Sequence, residues 1–78
     1  MGVTAYVLIA TDPRRTGYVM GELGKLNPRA VREVMGPYDI GLKADFQQLI
    51  DVPQYLSGQV RAIEGVSATT TLVAFPED

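Results

Sequence analysis

The chain has 78 residues, a net charge of −2 and neither cysteine nor histidine, and these facts exclude several classes of function. A chain of this length forms one domain, and without cysteine it has no disulfide framework, thiolate nucleophile or soft metal site. The lack of histidine removes the commonest general base and metal ligand, so we expect neither catalysis nor a metal or other cofactor. Seven Lys and Arg against nine Asp and Glu argue against direct binding to nucleic acid, which needs cations to neutralise phosphates.

No segment predicts export or a membrane anchor. The apolar runs are shorter than the roughly 18 residues that cross a bilayer, and the N-terminus lacks the pattern of a signal peptide. We therefore expect a cytoplasmic protein that makes no contact with membranes.

The first predicted strand, Val3–Ala10, is apolar on both of its alternating faces. A strand with one buried face alternates between apolar and polar residues, so this pattern predicts a central strand that is covered on both sides. Asp12 and Pro13 then predict the start of a helix, as its N-cap and its first helical residue. The apolar face of that helix consists of Val19, Met20, Leu23 and Leu26.

The first predicted helix contains three glycines, Gly17, Gly21 and Gly24. They make this helix either weak or closely approached by another helix or subunit.

The other elements follow in the order strand, strand, helix, strand. We expect an exposed strand at Arg29–Met35, a turn at Gly36-Pro37 and an alternating strand at Tyr38–Phe46. An amphipathic helix follows at Leu49–Ile63, with Pro53 near its start and Gly65 as its C-terminal cap, and the last strand is Val66–Phe75.

This order predicts an α+β fold of one domain over residues 1–78. It is a ferredoxin-like βαββαβ sandwich, with one four-stranded antiparallel sheet and two helices on one face. The second apolar face of the first strand then needs a cover, because exposed apolar surface costs roughly 25 cal/mol per Å². The simplest cover is the same face of a second copy, which would form a homodimer with the architecture of a dimeric α/β barrel.

The polar groups that suit a small zwitterion come from two segments. The carboxylate of Asp39 suits an ammonium group, and the backbone amides around Gly36 suit a carboxylate. Tyr38 places an aromatic ring beside them. Thr69 and Thr71 are two residues apart in a strand, so their hydroxyls project from the same face and can donate or accept hydrogen bonds. We therefore interpret these five residues as a candidate binding site for a small zwitterion.

Each of these residues also has a purely structural interpretation. Asp39 and Gly36 are residue types that commonly form turns, Tyr38 can belong to a core or an interface, and threonine is a good strand former. The site exists only if the mouth of the hairpin meets the last strand.

Three segments, Ala5–Ile9, Gly36–Ile40 and Ile63–Thr71, resemble the effector-sensing domain of the leucine-responsive and asparagine-operon regulators, the Lrp/AsnC family. This domain is also called RAM. The resemblance covers essentially the whole chain. Its most specific features are the Gly-x-Tyr-Asp turn and the Gly-Val-x-x-Thr-x-Thr strand. The chain departs from the family in its glycine-rich first helix and in Pro53.

The resemblance implies a stand-alone amino-acid-sensing oligomerisation module that modulates transcription indirectly. Family members usually carry a helix-turn-helix ahead of this domain, and because the first strand begins at Val3 we expect no DNA-binding domain here. The implied assembly is a homodimer and a higher ring (octamer or decamer), with the amino acid bound between dimers and full-length regulators as further partners. By that likeness Gly36, Tyr38 and Asp39 lie at the effector pocket, with the two threonines opposite.

Two other functions remain open from the sequence. One is a small enzyme of the dimeric α/β-barrel type, which would need an enclosed pocket between the sheet and the helices, with Tyr6 or Tyr38 as the proton-transfer residue. The other is a purely structural assembly module that binds no small molecule.

Overall fold

The computed structural model describes residues 2–76 and arranges them in the predicted order of strands and helices. The elements are β1 (Val3–Thr11), α1 (Thr16–Gly24), β2 (Ala30–Glu33), β3 (Ile40–Phe46), α2 (Asp51–Tyr55) and β4 (Val66–Ala74), with a 3-10 turn at Pro13–Arg15 and a π-helical turn at Leu56–Val60. The strands form one sheet in the order β2-β3-β1-β4, and every neighbouring pair is antiparallel. The predicted ferredoxin-like α+β fold is confirmed.

The core lies between the helices and one face of the sheet. The odd-numbered side chains of β1 are buried, and Ile40, Leu42 and Ala44 of β3 continue the same surface. Val19 and Leu23 of α1 pack onto this layer, as do Val52 of α2 and Val60. Because both helices bury their apolar residues in this one cluster, they cover the same face of the sheet.

Within residues 2–76, the opposite face of the sheet carries no helix, and we call it the open face. The cross-strand pairs place on it the side chains of Thr4, Tyr6, Leu8 and Ala10 of β1, Ala30 and Arg32 of β2, Lys43 and Asp45 of β3, and Ala68, Thr70, Leu72 and Ala74 of β4, together with Gly41. Tyr6 is 42% exposed and Leu72 is 59% exposed. The central position of β1 is confirmed. In the part of one chain that the structure describes, helices cover one of its two apolar faces.

The start of α1 follows the predicted chemistry. Asp12 has an extended backbone, and its carboxylate accepts a hydrogen bond of 3.0 Å from the backbone N–H of Arg14, as an N-cap residue does. This contact and the Arg14 side chain hold the pKa of Asp12 below its ordinary value of 3.8. The capped segment is a 3-10 turn that begins at Pro13, and regular α-helix begins only at Thr16.

The second helical segment is shorter than predicted, and the expectation of one helix over Leu49–Ile63 is wrong in extent. α2 has five residues and continues into a π-helical turn, in which the backbone N–H of Arg61 donates to the carbonyl of Leu56. Pro53 lacks the N–H that would donate to the preceding turn. The Ser57 hydroxyl bonds the Pro53 carbonyl over 2.8 Å and competes with the helical pattern.

Two other boundaries also differ from the predictions. β2 ends at Glu33 rather than Met35, and β3 begins at Ile40 rather than Tyr38, because the segment between them forms a loop with its own contacts. Gly65 is not the cap of α2, since the helical turns end at Val60. It has a φ of 104° and closes the turn that leads into β4.

Candidate functional site

The loop that joins β2 to β3 contains three of the predicted site residues. The backbone N–H of Val34 donates to the carbonyl of Asp39 over 2.9 Å and closes the loop. Gly36 has a φ of 142°, a conformation that favours glycine, and Met35 beside it is fully exposed. Within residues 2–76, the backbone N–H groups of Gly36 and Tyr38 donate no hydrogen bond. The loop therefore offers two free donors to an anion.

Asp39 is fixed to the end of β1. Its Oδ2 accepts a hydrogen bond of 2.8 Å from the backbone N–H of Thr11, and the Thr11 hydroxyl lies 3.4 Å away. That hydroxyl is 2.7 Å from the hydroxyl of Thr16 at the start of α1. The Asp39 N–H donates to the Ile9 carbonyl. Oδ1 of Asp39 takes part in no hydrogen bond among the described residues, so one oxygen holds the loop in place and the other stays available.

Tyr38 reaches across β1 to the far edge of the sheet. Its hydroxyl lies 2.6 Å from the hydroxyl of Thr70, at hydrogen-bond distance. Thr70 is in β4, opposite Leu8 of β1, so its side chain lies on the open face. The ring of Tyr38 therefore links the loop to the open face of the sheet.

Thr69 and Thr71 lie on the other face. They pair with Ile9 and Val7, whose side chains point into the core, and both threonines are half-buried at the edge of the helical layer. They share one face, as expected from their spacing. No hydrogen bond joins either of them to Tyr38 or Asp39 in the part of the chain that the structure describes.

The structure thus distributes the predicted residues over two places. Gly36, Tyr38 and Asp39 share the loop, whereas Thr69 and Thr71 lie on the helical face of β4. Their binding role remains a prediction. Sequence reasoning missed Thr70, because the alternation within a strand does not tell which of three consecutive threonines shares a face with a distant tyrosine.

The open face is apolar along β1 and β4 and charged along β2 and β3. The Nζ of Lys43 lies 5.5 Å from the centre of the Tyr6 ring, in a cation–π contact. Gly41 leaves a shallow depression of about 140 Å³ between Tyr6, Leu8 and Ala30. This surface therefore carries large apolar side chains next to charged groups.

A second depression, of about 410 Å³, lies at the end of the sheet opposite the Gly36–Asp39 loop and is lined by Gly2 and Asp45–Gln48. Neither depression lies between the sheet and the helices, where the enzyme interpretation requires its pocket. Among residues 2–76 there is no group of three carboxylate, histidine or cysteine side chains that could hold a metal ion. No helix in the same range is long and apolar enough to cross a membrane.

No protein-family model matches the sequence, and no curated protein is similar enough to match it. Solved structures do match. The protein TTHA0845 from Thermus thermophilus superposes with a TM-score of 0.90 at 27% identity, over 97% of this chain and 96% of that protein. The likeness therefore extends along nearly the full length of both chains.

Two further matches are longer proteins. Escherichia coli AsnC has a TM-score of 0.89 at 17% identity, over 96% of this chain but 52% of AsnC. The transcriptional regulator NMB0573 from Neisseria meningitidis, solved as a complex with L-methionine, has a TM-score of 0.77 at 11% identity, over 96% of this chain and 51% of the regulator. At these identities the likeness shows the fold alone. The chain has the fold of a domain found in Lrp/AsnC-type regulators, and it spans about half the length of these two proteins.

Proposed function

We propose that this chain is a stand-alone amino-acid-sensing module of the Lrp/AsnC type, which self-associates and modulates transcription indirectly. The observation that carries the proposal is the loop at Gly36–Asp39. It combines free backbone N–H groups with a carboxylate of which one oxygen is already anchored. The two kinds of group are complementary to the carboxylate and the ammonium of one amino acid.

A neighbouring copy completes the site in this proposal. The loop is open to solvent, and Met35 at its tip is fully exposed. A small ligand gains affinity by being enclosed, and binding sites commonly enclose most of the ligand's surface. A site between two copies supplies that enclosure. In this arrangement Thr69 and Thr71, from this chain or from the neighbouring copy, contact the same amino acid.

Self-association in the proposal begins with the open face. Leu72 and Tyr6 leave large apolar surface in water, and the face also carries both Lys43 and Asp45. A surface with apolar groups and both signs of charge can pair with itself across a two-fold axis. The proposed unit is a homodimer through this face, which assembles further into an octamer or decamer and can mix with full-length regulators of the same type.

The regulators among the structural matches favour a non-enzymatic role. One observation supports a second candidate, a purely structural assembly module. The hydrogen bond from the Thr11 N–H to Asp39 gives this carboxylate a structural role that needs no ligand. The two candidates differ in whether an amino acid binds.

Isothermal titration calorimetry with each standard L-amino acid, followed by sedimentation, separates them. At least one amino acid should release heat and change the assembly. Asp39→Asn keeps an oxygen acceptor for Thr11 but removes the charge, so it should weaken that binding by about tenfold or more, as expected for a lost charge-assisted hydrogen bond. Asp51→Asn, at an exposed position in α2, is the matched control and should bind like the unaltered chain.

If no amino acid releases heat or changes the assembly, the sensing proposal fails and the structural assembly module remains. If Asp39→Asn and the unaltered chain bind equally well, the site lies elsewhere than in this loop.

A further inference from the structure

The hydrogen bond between Tyr38 and Thr70 joins two surfaces that the proposed function treats separately. Tyr38 belongs to the Gly36–Asp39 loop, and Thr70 belongs to the open face. The two residues are 32 positions apart. In the sheet, β1 lies between β3, which follows the loop of Tyr38, and β4, which carries Thr70. The ring must therefore extend over the central strand to make this contact.

The contact fixes where a large aromatic side chain lies. A tyrosine in a loop has two rotatable side-chain bonds and loses some of that freedom when its hydroxyl is held. Tyr38 is half-buried, whereas Thr70 is exposed. The ring consequently adds apolar surface to the open face, where its partner Thr70 is paired with Leu8 of β1.

We propose that Thr70 is a positioning residue, which holds Tyr38 so that one ring forms part of both the amino-acid site and the contact between two copies of the chain. This inference rests on the proposed function and states how a bound amino acid would change self-association. An amino acid that touches Tyr38 in the loop changes the position or freedom of the same ring at the interface. By linkage, association of two copies changes the affinity for the amino acid by the same factor.

Thr70 is the only one of the three consecutive threonines suited to this role. Thr69 and Thr71 project from the helical face of the sheet, because side chains alternate along a strand. Asp39 holds the loop at the end of β1, so the two anchors of the loop lie on different strands. The Asp39 anchor fixes the backbone, and the Thr70 anchor fixes the ring.

The test uses four single variants of the full chain. Thr70→Val and Tyr38→Phe each remove one hydroxyl of the pair at nearly constant shape. Thr70→Ser retains the hydroxyl and should restore the behaviour of the unaltered chain. Ser57→Ala is the control, because it removes a hydroxyl that bonds the Pro53 carbonyl over 2.8 Å in the second helical segment, away from both the loop and the open face.

The quantity to measure is the ratio of the dissociation constants for self-association with and without each standard L-amino acid in excess. Sedimentation velocity over a dilution series gives both constants. In the unaltered chain, in Thr70→Ser and in Ser57→Ala, the ratio should differ from one by about fivefold or more, the usual lower range for coupling between sites. In Thr70→Val and Tyr38→Phe it should fall close to one.

The failures of the two proposals are distinguishable. If an amino acid binds by calorimetry but Thr70→Val keeps the full ratio, the positioning role is overturned and the amino-acid site stands. The same conclusion follows if the ratio is one in the unaltered chain although an amino acid binds. If no amino acid binds to any variant, the proposed function fails and this inference fails with it.

Discussion

The backbone N–H of Asp12 donates a hydrogen bond of 2.9 Å to the carbonyl oxygen of Gly65. This bond holds the start of the first helical segment against the turn that precedes β4. The approach is so close that a Cβ atom on Gly65 would lie 2.7 Å from the Cβ of Arg15 and 3.2 Å from a methyl group of Val19. Gly65 also has a φ of 104°. Both the space and the backbone conformation at this position require glycine.

Gly65→Ala should therefore destabilise the protein by about 2 kcal/mol or more, from the combined cost of the left-handed backbone and the steric overlap. Urea denaturation followed by circular dichroism measures the change in the free energy of unfolding. Gly21→Ala is the control, because a Cβ at that helical position meets no atom within 4 Å. That control should raise stability by roughly 0.5–1 kcal/mol, and equal effects of the two variants would contradict the argument.

Leu72→Glu should prevent self-association while leaving the fold intact. Leu72 is 59% exposed on the open face, so a carboxylate is tolerated in the single chain but would lose its hydration in a contact between copies. We expect the dissociation constant of the dimer to rise at least tenfold, measured by sedimentation equilibrium.

Ile50→Glu is the control for Leu72→Glu, because Ile50 is 71% exposed but lies in the segment before α2 instead of on the open face. An effect of Ile50→Glu as large as that of Leu72→Glu would place the interface elsewhere.

Tyr55→Phe should leave the stability unchanged or raise it by up to about 1 kcal/mol, because it removes a buried hydroxyl that lacks a hydrogen-bond partner. The Tyr55 hydroxyl has none among residues 2–76. The ring packs edge-on against Phe46 with the centroids 5.0 Å apart, and phenylalanine keeps that contact. A loss of stability in thermal denaturation would show that a bound water or a neighbouring copy satisfies the hydroxyl.

The same substitution changes the response to alkaline pH. Burial raises the pKa of Tyr55 above its ordinary value of 10.0, so the unfolded chain releases this proton at a lower pH than the folded protein does. Stability should fall as the pH rises past about 10. That part of the loss should disappear in Tyr55→Phe and persist in Tyr18→Phe, since Tyr18 is 51% exposed.

Acid should weaken the contact between β1 and β3 through Asp45. The Thr4 hydroxyl, and after it Arg29, hold the pKa of Asp45 below its ordinary value of 3.8. A lowered pKa means that the folded state favours the carboxylate, so this stabilisation is present above about pH 4 and is lost as the pH falls through the lowered pKa.

Thr4→Val should shift the pKa of Asp45 back towards 3.8, which a carboxyl-carbon NMR titration measures directly. Asp12 serves as an internal control, because its lowered pKa depends first on the backbone N–H of Arg14 and should not change. If the pKa of Asp45 is the same in Thr4→Val as in the unaltered chain, the hydroxyl contact is not maintained in solution.

Much of the fold could be predicted from patterns within single segments. β1 was predicted as a central strand because it is apolar at both odd and even positions, and it has a paired strand on each side. Asp12 and Pro13 predicted the start of the first helical segment, because capping depends on groups within three residues of one another. The second helix was predicted too long, since its apolar spacing continues past Pro53 although the backbone changes to a π-helical turn.

The candidate site was predictable only in part. The sequence alone indicated the Gly36–Asp39 loop, because Gly-Pro and Asp mark turns wherever they occur. It did not indicate that Asp39 would bond the Thr11 backbone, nor that Tyr38 would meet Thr70. Each of these contacts joins residues about thirty positions apart.

The sequence by itself thus determined the order of strands and helices, the apolar character of both faces of β1 and the position of the polar loop. Only the tertiary structure decided which face each threonine of β4 occupies. The physical reason is that the register between β1 and β4 fixes this choice, and a shift by one residue would exchange the two faces completely. The observed register packs Val73 of β4 against the core, and this contact with residues distant in the sequence is one that no local segment specifies.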